Sequence, residues 1–147
     1  MTIIQKSMCG VDLAMLISRL LLAWIFLHEG FTLATNLSGT LAALARNGVS
    51  APLVLATIAL QICAGISIAA GFCTRLGAMS LGVFCIMTAL LFHTHFADQN
   101  ELLHFEKDLA IAGGMLALAI KGAGRISVDS VLIRSIKSKW LGQLLSC

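Results

Sequence analysis

The groups in this sequence able to do chemistry are an arginine set deep in an apolar run and four histidines gathered with carboxylates at the ends of such runs. An ionised side chain at the centre of a membrane helix costs on the order of 2.5–3.5 kcal/mol by insertion scales, so its presence asks for a reason. Arg19, inside the run from Val11 to about Thr35, must turn to other protein groups for an acceptor. Gln61 offers a neutral partner and Asp108 a charged one. Two roles are open to Arg19: a clamp that fixes helix register, or a member of a polar intramembrane site with Lys107 and Asp108 as its catalytic candidates.

His28 closes the first run, His93 and His95 close the third, and His104 opens the fourth. With carboxylates in the same layer, the set His28, Glu29, His93, Glu101 and His104 supplies donors suited to copper, zinc or haem iron. Successive helical residues turn by about 100°, so His93 and His95 point apart and share one ion only if the helix end unwinds. Glu101, His104 and Asp108 fall on one stripe, at i, i+3 and i+7, which Glu29 can approach from the first helix. A quinone headgroup is the other cofactor this chemistry suits: it needs a donor at headgroup depth beside an apolar slot, and His104, Arg19 and Gln61, with Asp108, are the candidates. The plainer reading has these polar residues capping helices at the outer headgroup layer. No nucleotide loop, nucleophile elbow or HExxH occurs.

The elements that must position these groups are membrane helices. Of 147 residues, 59% are hydrophobic and 12% charged, and the mean hydropathy is +0.95. A soluble domain carries about 25% charged residues, so this chain has too little polar surface to face water and takes the lipid bilayer as its partner. Nucleic acid is excluded, since no basic patch interleaved with aromatics faces water. The cysteines Cys9, Cys63, Cys73, Cys85 and Cys147 form no CxxC pair or metal-finger spacing, and are read as structural.

Four runs are predicted to span: Val11 to about Thr35, Pro52 to Phe72, Leu76 to about Phe96, and Leu109 to Ile120 extended forward through Phe105 to Asp108. A cleaved signal peptide fits the first run poorly, because Arg19 would fall inside its apolar core. Leu37 to Gly48 is predicted to form a short interfacial helix, and the tail after Gly122-Ala123-Gly124 an amphipathic basic helix with Trp140 among Arg134, Lys137 and Lys139. Small residues suited to helix contacts lie at Cys63, Ser67 and Gly71, at Ala78 and Gly82, and at Ala110 and Gly114. Lys6, Arg75, Lys121, Arg125, Arg134, Lys137 and Lys139 flank one side of the spans, and Arg46 and Lys107 the other, so both chain ends are expected in the cytoplasm. The fold class is thus an all-α, four-transmembrane-helix bundle, N-in/C-in, occupying residues 1–129, with a basic tail over 130–147.

Several segments together resemble the DoxX family of small bacterial membrane proteins. They are Arg19-Leu20-Leu21-Leu22 through Gly30, Gly48-Val49-Ser50-Ala51-Pro52, Gly65, and Gly71-Phe72-Cys73-Thr74-Arg75-Leu76-Gly77-Ala78. The strongest are Phe105-Glu106-Lys107-Asp108-Leu109-Ala110-Ile111-Ala112-Gly113-Gly114 and Gly122-Ala123-Gly124-Arg125-Ile126-Ser127-Val128-Asp129. They resemble the family's FxKN-L-A-L-x-G-G and G-P-G-R-x-S-L-D patterns, over about residues 12–129. The family often has Glu where Gln61 stands and Asn where Asp108 stands. The resemblance implies a four-helix bundle in the bacterial inner membrane. It also implies a small subunit or accessory of a quinone-linked redox system, since some members are associated with thiosulfate:quinone oxidoreductase. Arg19, His104, Lys107 and Asp108 would then form the polar site, with membrane or peripheral redox proteins, or a second copy of the chain, as partners. The contrasting class is a non-enzymatic scaffold or a copper- or haem-handling factor.

Overall fold

The computed structural model describes residues 3–135, with side chains from residue 10 onward. The helical tail expected around Trp140 lies outside these residues. Within them the chain is all helix and turn. Five helices follow in order: α1 (Ile3–Thr35), α2 (Leu37–Arg46), α3 (Ala51–Ala70), α4 (Thr74–Phe92) and α5 (Gln99–Lys121). A further helical stretch occupies 128–135.

Each turn between them has a local cause. Pro52 stands in the first turn of α3, where its missing N–H costs no helix bond. Gly71 ends α3 at φ 74°, its N–H bonding Ile68 O at 3.1 Å while that of Phe72 bonds Ser67 O at 2.9 Å. This is the Schellman arrangement, which needs a left-handed residue and so favours glycine. Asp98 caps α5, accepting from the Asn100 N–H at 2.9 Å. Glu101 follows three residues later, completing a capping sequence.

Three segments are long and apolar enough to cross a membrane: Gly10–Thr35, Ala51–Ala70 and Thr74–Phe92. Their outward faces are apolar, with Leu21 69%, Trp24 67% and Leu76 69% exposed, which only lipid tolerates over such a length. α1 packs chiefly on α3 and α4 on α5, with α3 against α4 joining the two pairs. One core draws on all four long helices, through Ala23 and Phe26, Ala64 and Ile68, Ala78, Leu81 and Cys85, and Ala112, Met115 and Leu118.

Close approach sets this packing, because lipid gives helices no hydrophobic reason to associate. A Cβ on Gly30 would lie 2.8 Å from Ile62 Cγ1, and one on Gly65 2.9 Å from Leu27 Cδ2. Gly82 meets Met115 and Gly114 meets Leu22 in the same way. The expected contact stripe through Cys63 and Ser67 is corrected here: Cys63 is exposed, and Gly65, on another face of α3, makes the approach to α1. Ala110 is likewise exposed.

Candidate functional site

The antiparallel helices separate the polar residues to two ends of the molecule. At one end Arg19 is 2% exposed and its guanidinium reaches past the end of α3. Its two terminal nitrogens donate to Ala123 O at 2.6 Å and Ile126 O at 3.0 Å. Neither Gln61 nor Asp108 is its partner. Gln61 lies level with Gly30, whose Cβ would sit 3.2 Å from that of Gln61. Eleven residues of helix part Gly30 from Arg19, about 16 Å at 1.5 Å per residue. Asp108 stands thirteen residues before the end of α5, about 20 Å from the loop that Arg19 holds. The single polar site expected of Arg19, His104, Lys107 and Asp108 is therefore split. Arg19 belongs to the basic end, and the other three to the histidine end.

At the histidine end, α4 stops at Phe92 and His93 leaves the helix at φ −118°. The unwound end turns His93 towards α5, where its Nδ1 lies 2.9 Å from Glu101 Oε2. One turn along, the His104 ring faces His93 at 5.2 Å between centroids, and its Nδ1 lies 3.1 Å from Lys107 Nζ. A further turn on, Thr88 Oγ1 lies 2.9 Å from Asp108 Oδ2, and also within reach of the Phe84 and Cys85 carbonyls. The Thr88 hydroxyl has one proton to share among these acceptors. The stripe Glu101, His104, Asp108 thus faces α4 along its whole length.

Beside this stripe is a cavity of about 620 Å³. Leu33, Val54, Phe84, Met87 and Leu91 are among its apolar walls, and Glu29, Asn47, Thr57, Thr88, His93 and Glu101 supply its polar groups. Glu101 and Asn47 also line a neighbouring opening of about 750 Å³ with His95 and Asp98. Asn47, Thr57 and Thr88 escape sequence reasoning. Asn47 reads as a helix stop, and a lone threonine in an apolar run reads as helix packing.

The metal-ligand set assembles only in part. Among the described residues, no three His, Cys, Asp or Glu side chains are grouped so as to hold an ion. His93, Glu101 and His104 adjoin in pairs. His28 is exposed and stands beside Trp24, at 6.1 Å between centroids, while Glu29 borders the cavity. Gln61 is buried with its Oε1 unpartnered among the described residues, and is not part of the cavity wall.

The DoxX family model matches residues 14–94, more than half the chain. The chain belongs to the DoxX family. It is 36% identical over 129 residues to the inner membrane protein YqjF of Escherichia coli K12, covering 88% of this chain and 96% of that protein. It is 34% identical over 123 residues to the inner membrane protein YphA of the same organism, covering 78% and 87%. No solved structure matches it. This DoxX protein is accordingly a multi-pass protein of the inner membrane, embedded in the lipid bilayer.

Proposed function

We propose that this DoxX protein is the quinone-binding accessory of a membrane redox system, with the cavity at the histidine end as its headgroup site. The observation that carries this reading is the placement of the His93–Glu101 pair, 2.9 Å apart, on the wall of a mainly apolar cavity of about 620 Å³. Ligand pockets for small molecules occupy about 300–1,000 Å³ and are mostly apolar with a few polar groups. Reduction of a quinone to a quinol takes two electrons and two protons. His93 can hand a proton to a quinone carbonyl oxygen, and Glu101, which also borders the neighbouring opening, can restore it. Thr88 and Asn47 are further polar groups on the same wall. A partner redox protein supplies the electrons. Asp108 acts through Thr88, and Arg19 builds the opposite end without touching the quinone.

In this reading α5 is a fourth span. Its 23 residues measure about 35 Å, its acidic first turns lie in the outer headgroup layer, and both chain ends face the cytoplasm with the basic end. The test is a binding titration of the purified protein with a soluble ubiquinone or menaquinone analogue, followed by quenching of tryptophan fluorescence. Saturable binding is expected, weakened at least tenfold in His93→Ala and Glu101→Gln and unchanged in Arg19→Lys. Absence of saturable binding by the wild-type protein would refute it.

A further inference from the structure

The basic end holds a second cavity, of about 510 Å³, between the α3–α4 turn and the loop that follows α5. It is separate from the quinone site and uses none of its residues. Arg75 and Lys121 stand at its wall, and neither makes an ion pair or side-chain hydrogen bond among the described residues. The Arg75 guanidinium lies over Gly122, where a Cβ would come within 3.3 Å of Nε. Thr74, also on this wall, is fully buried, and its Oγ1 has no partner among the described residues.

One carboxylate, Asp129, shares the wall. Its oxygens are taken up by the first turn of α4, accepting from the Cys73 N–H at 3.0 Å and the Thr74 N–H at 3.4 Å. Arg125, by contrast, is turned to Asp12, at 3.7 Å. Two cations without partners and an apolar rim at Leu76 and Ile133 therefore surround a space at the end of the membrane helices. Apolar rim and cationic wall together match a phosphate that carries acyl chains.

We infer that this cavity binds the phosphodiester of an anionic phospholipid, held between Arg75 and Lys121 with the acyl chains lying against Leu76 and Ile133. Each basic group near a membrane surface adds roughly fivefold to the affinity for anionic lipid, so loss of both weakens binding about thirtyfold.

The test uses the full chain, delipidated in neutral detergent and titrated with phosphatidylglycerol, phosphatidylcholine or inorganic phosphate, reading melting temperature and lipid retained by native mass spectrometry. Phosphatidylglycerol is expected to raise the melting temperature and remain bound at one copy per chain, with phosphatidylcholine weaker. The double variant Arg75→Gln/Lys121→Gln should lose this binding. Arg134→Gln, an exposed cation outside the cavity, should keep it. Equal protection by phosphatidylcholine, or undiminished binding by the double variant, would overturn the assignment. Equal protection by inorganic phosphate would overturn the lipid source and leave a free-phosphate site. Quinone binding is unaffected by these variants, so the failure of either site is read separately.

Discussion

Arg19→Met tests how the basic end is built. Methionine fills a similar space, but it leaves Ala123 O and Ile126 O without the donors that now lie 2.6 and 3.0 Å away. A hydrogen bond to a charged group contributes about 1.5–3 kcal/mol, so the pair is worth about 3–6 kcal/mol. Removing a buried charge recovers desolvation free energy when its partners leave with it. Here the partners are backbone carbonyls that remain, so the recovery is small. Arg19→Lys keeps the charge but replaces the two-pronged guanidinium by a single ammonium, and is expected to lose about half as much. The assay is reversible unfolding in mixed micelles of rising SDS fraction, followed by circular dichroism, alongside limited proteolysis of the 122–127 loop. The Met variant should unfold at a clearly lower SDS fraction, with the loop cut earlier than in wild type. Equal stability and equal protection of that loop would refute the clamp.

Four further outcomes follow from particular positions. Cys73 adopts φ 49°, a left-handed conformation that costs a residue with a Cβ about 1–2 kcal/mol, so Cys73→Gly should raise the melting temperature. Gly65→Val places a branched side chain against Leu27, only 2.9 Å from where its Cβ begins, and should destabilise by about 1–3 kcal/mol. Gly113→Ala, whose Cβ meets nothing within 4 Å, lies inside α5 and should stabilise by about 0.5–1 kcal/mol in the same melting assay, since alanine is the better helix former. With Cys9, Cys63, Cys85 and Cys147 changed to Ser, the exposed thiol of Cys73 should react with a membrane-impermeant maleimide in inside-out vesicles and not in right-side-out ones. The reverse pattern would invert the topology.

Hydropathy makes the helices legible because lipid demands a long apolar run from any spanning segment, and the runs beginning at Val11, Pro52 and Leu76 correspond to α1, α3 and α4. The ends are less legible. α1 starts at Ile3, ahead of the apolar run, because a helix continues through residues such as Gln5 and Lys6 without needing lipid. α4 stops at Phe92, four residues before the apolar run gives out at Phe96. α5 begins at Gln99 behind the Asp98 cap, ahead of the start expected at Phe105, because its polar first turns need no lipid. The alignment of Glu101, His104 and Asp108 is a property of helical periodicity and can be read without coordinates. The partners of Arg19 cannot. They are main-chain carbonyls more than a hundred residues away, in a loop shaped by Gly122 and Gly124 at positive φ, and side-chain patterns carry no trace of them. The cavity is hidden for a related reason: Asn47, Thr57 and Thr88 meet only after α2, α3 and α4 have packed.

The measurement that bears most directly on the quinone reading is photo-cross-linking. The protein, reconstituted in lipid, is illuminated with an azidoquinone and the labelled residues are mapped by mass spectrometry. Label should concentrate in 84–101, with a second cluster in 44–57, and should be competed away by excess unlabelled quinone. Label spread over the lipid-facing surfaces of α4 and α5, indifferent to competitor, would contradict it.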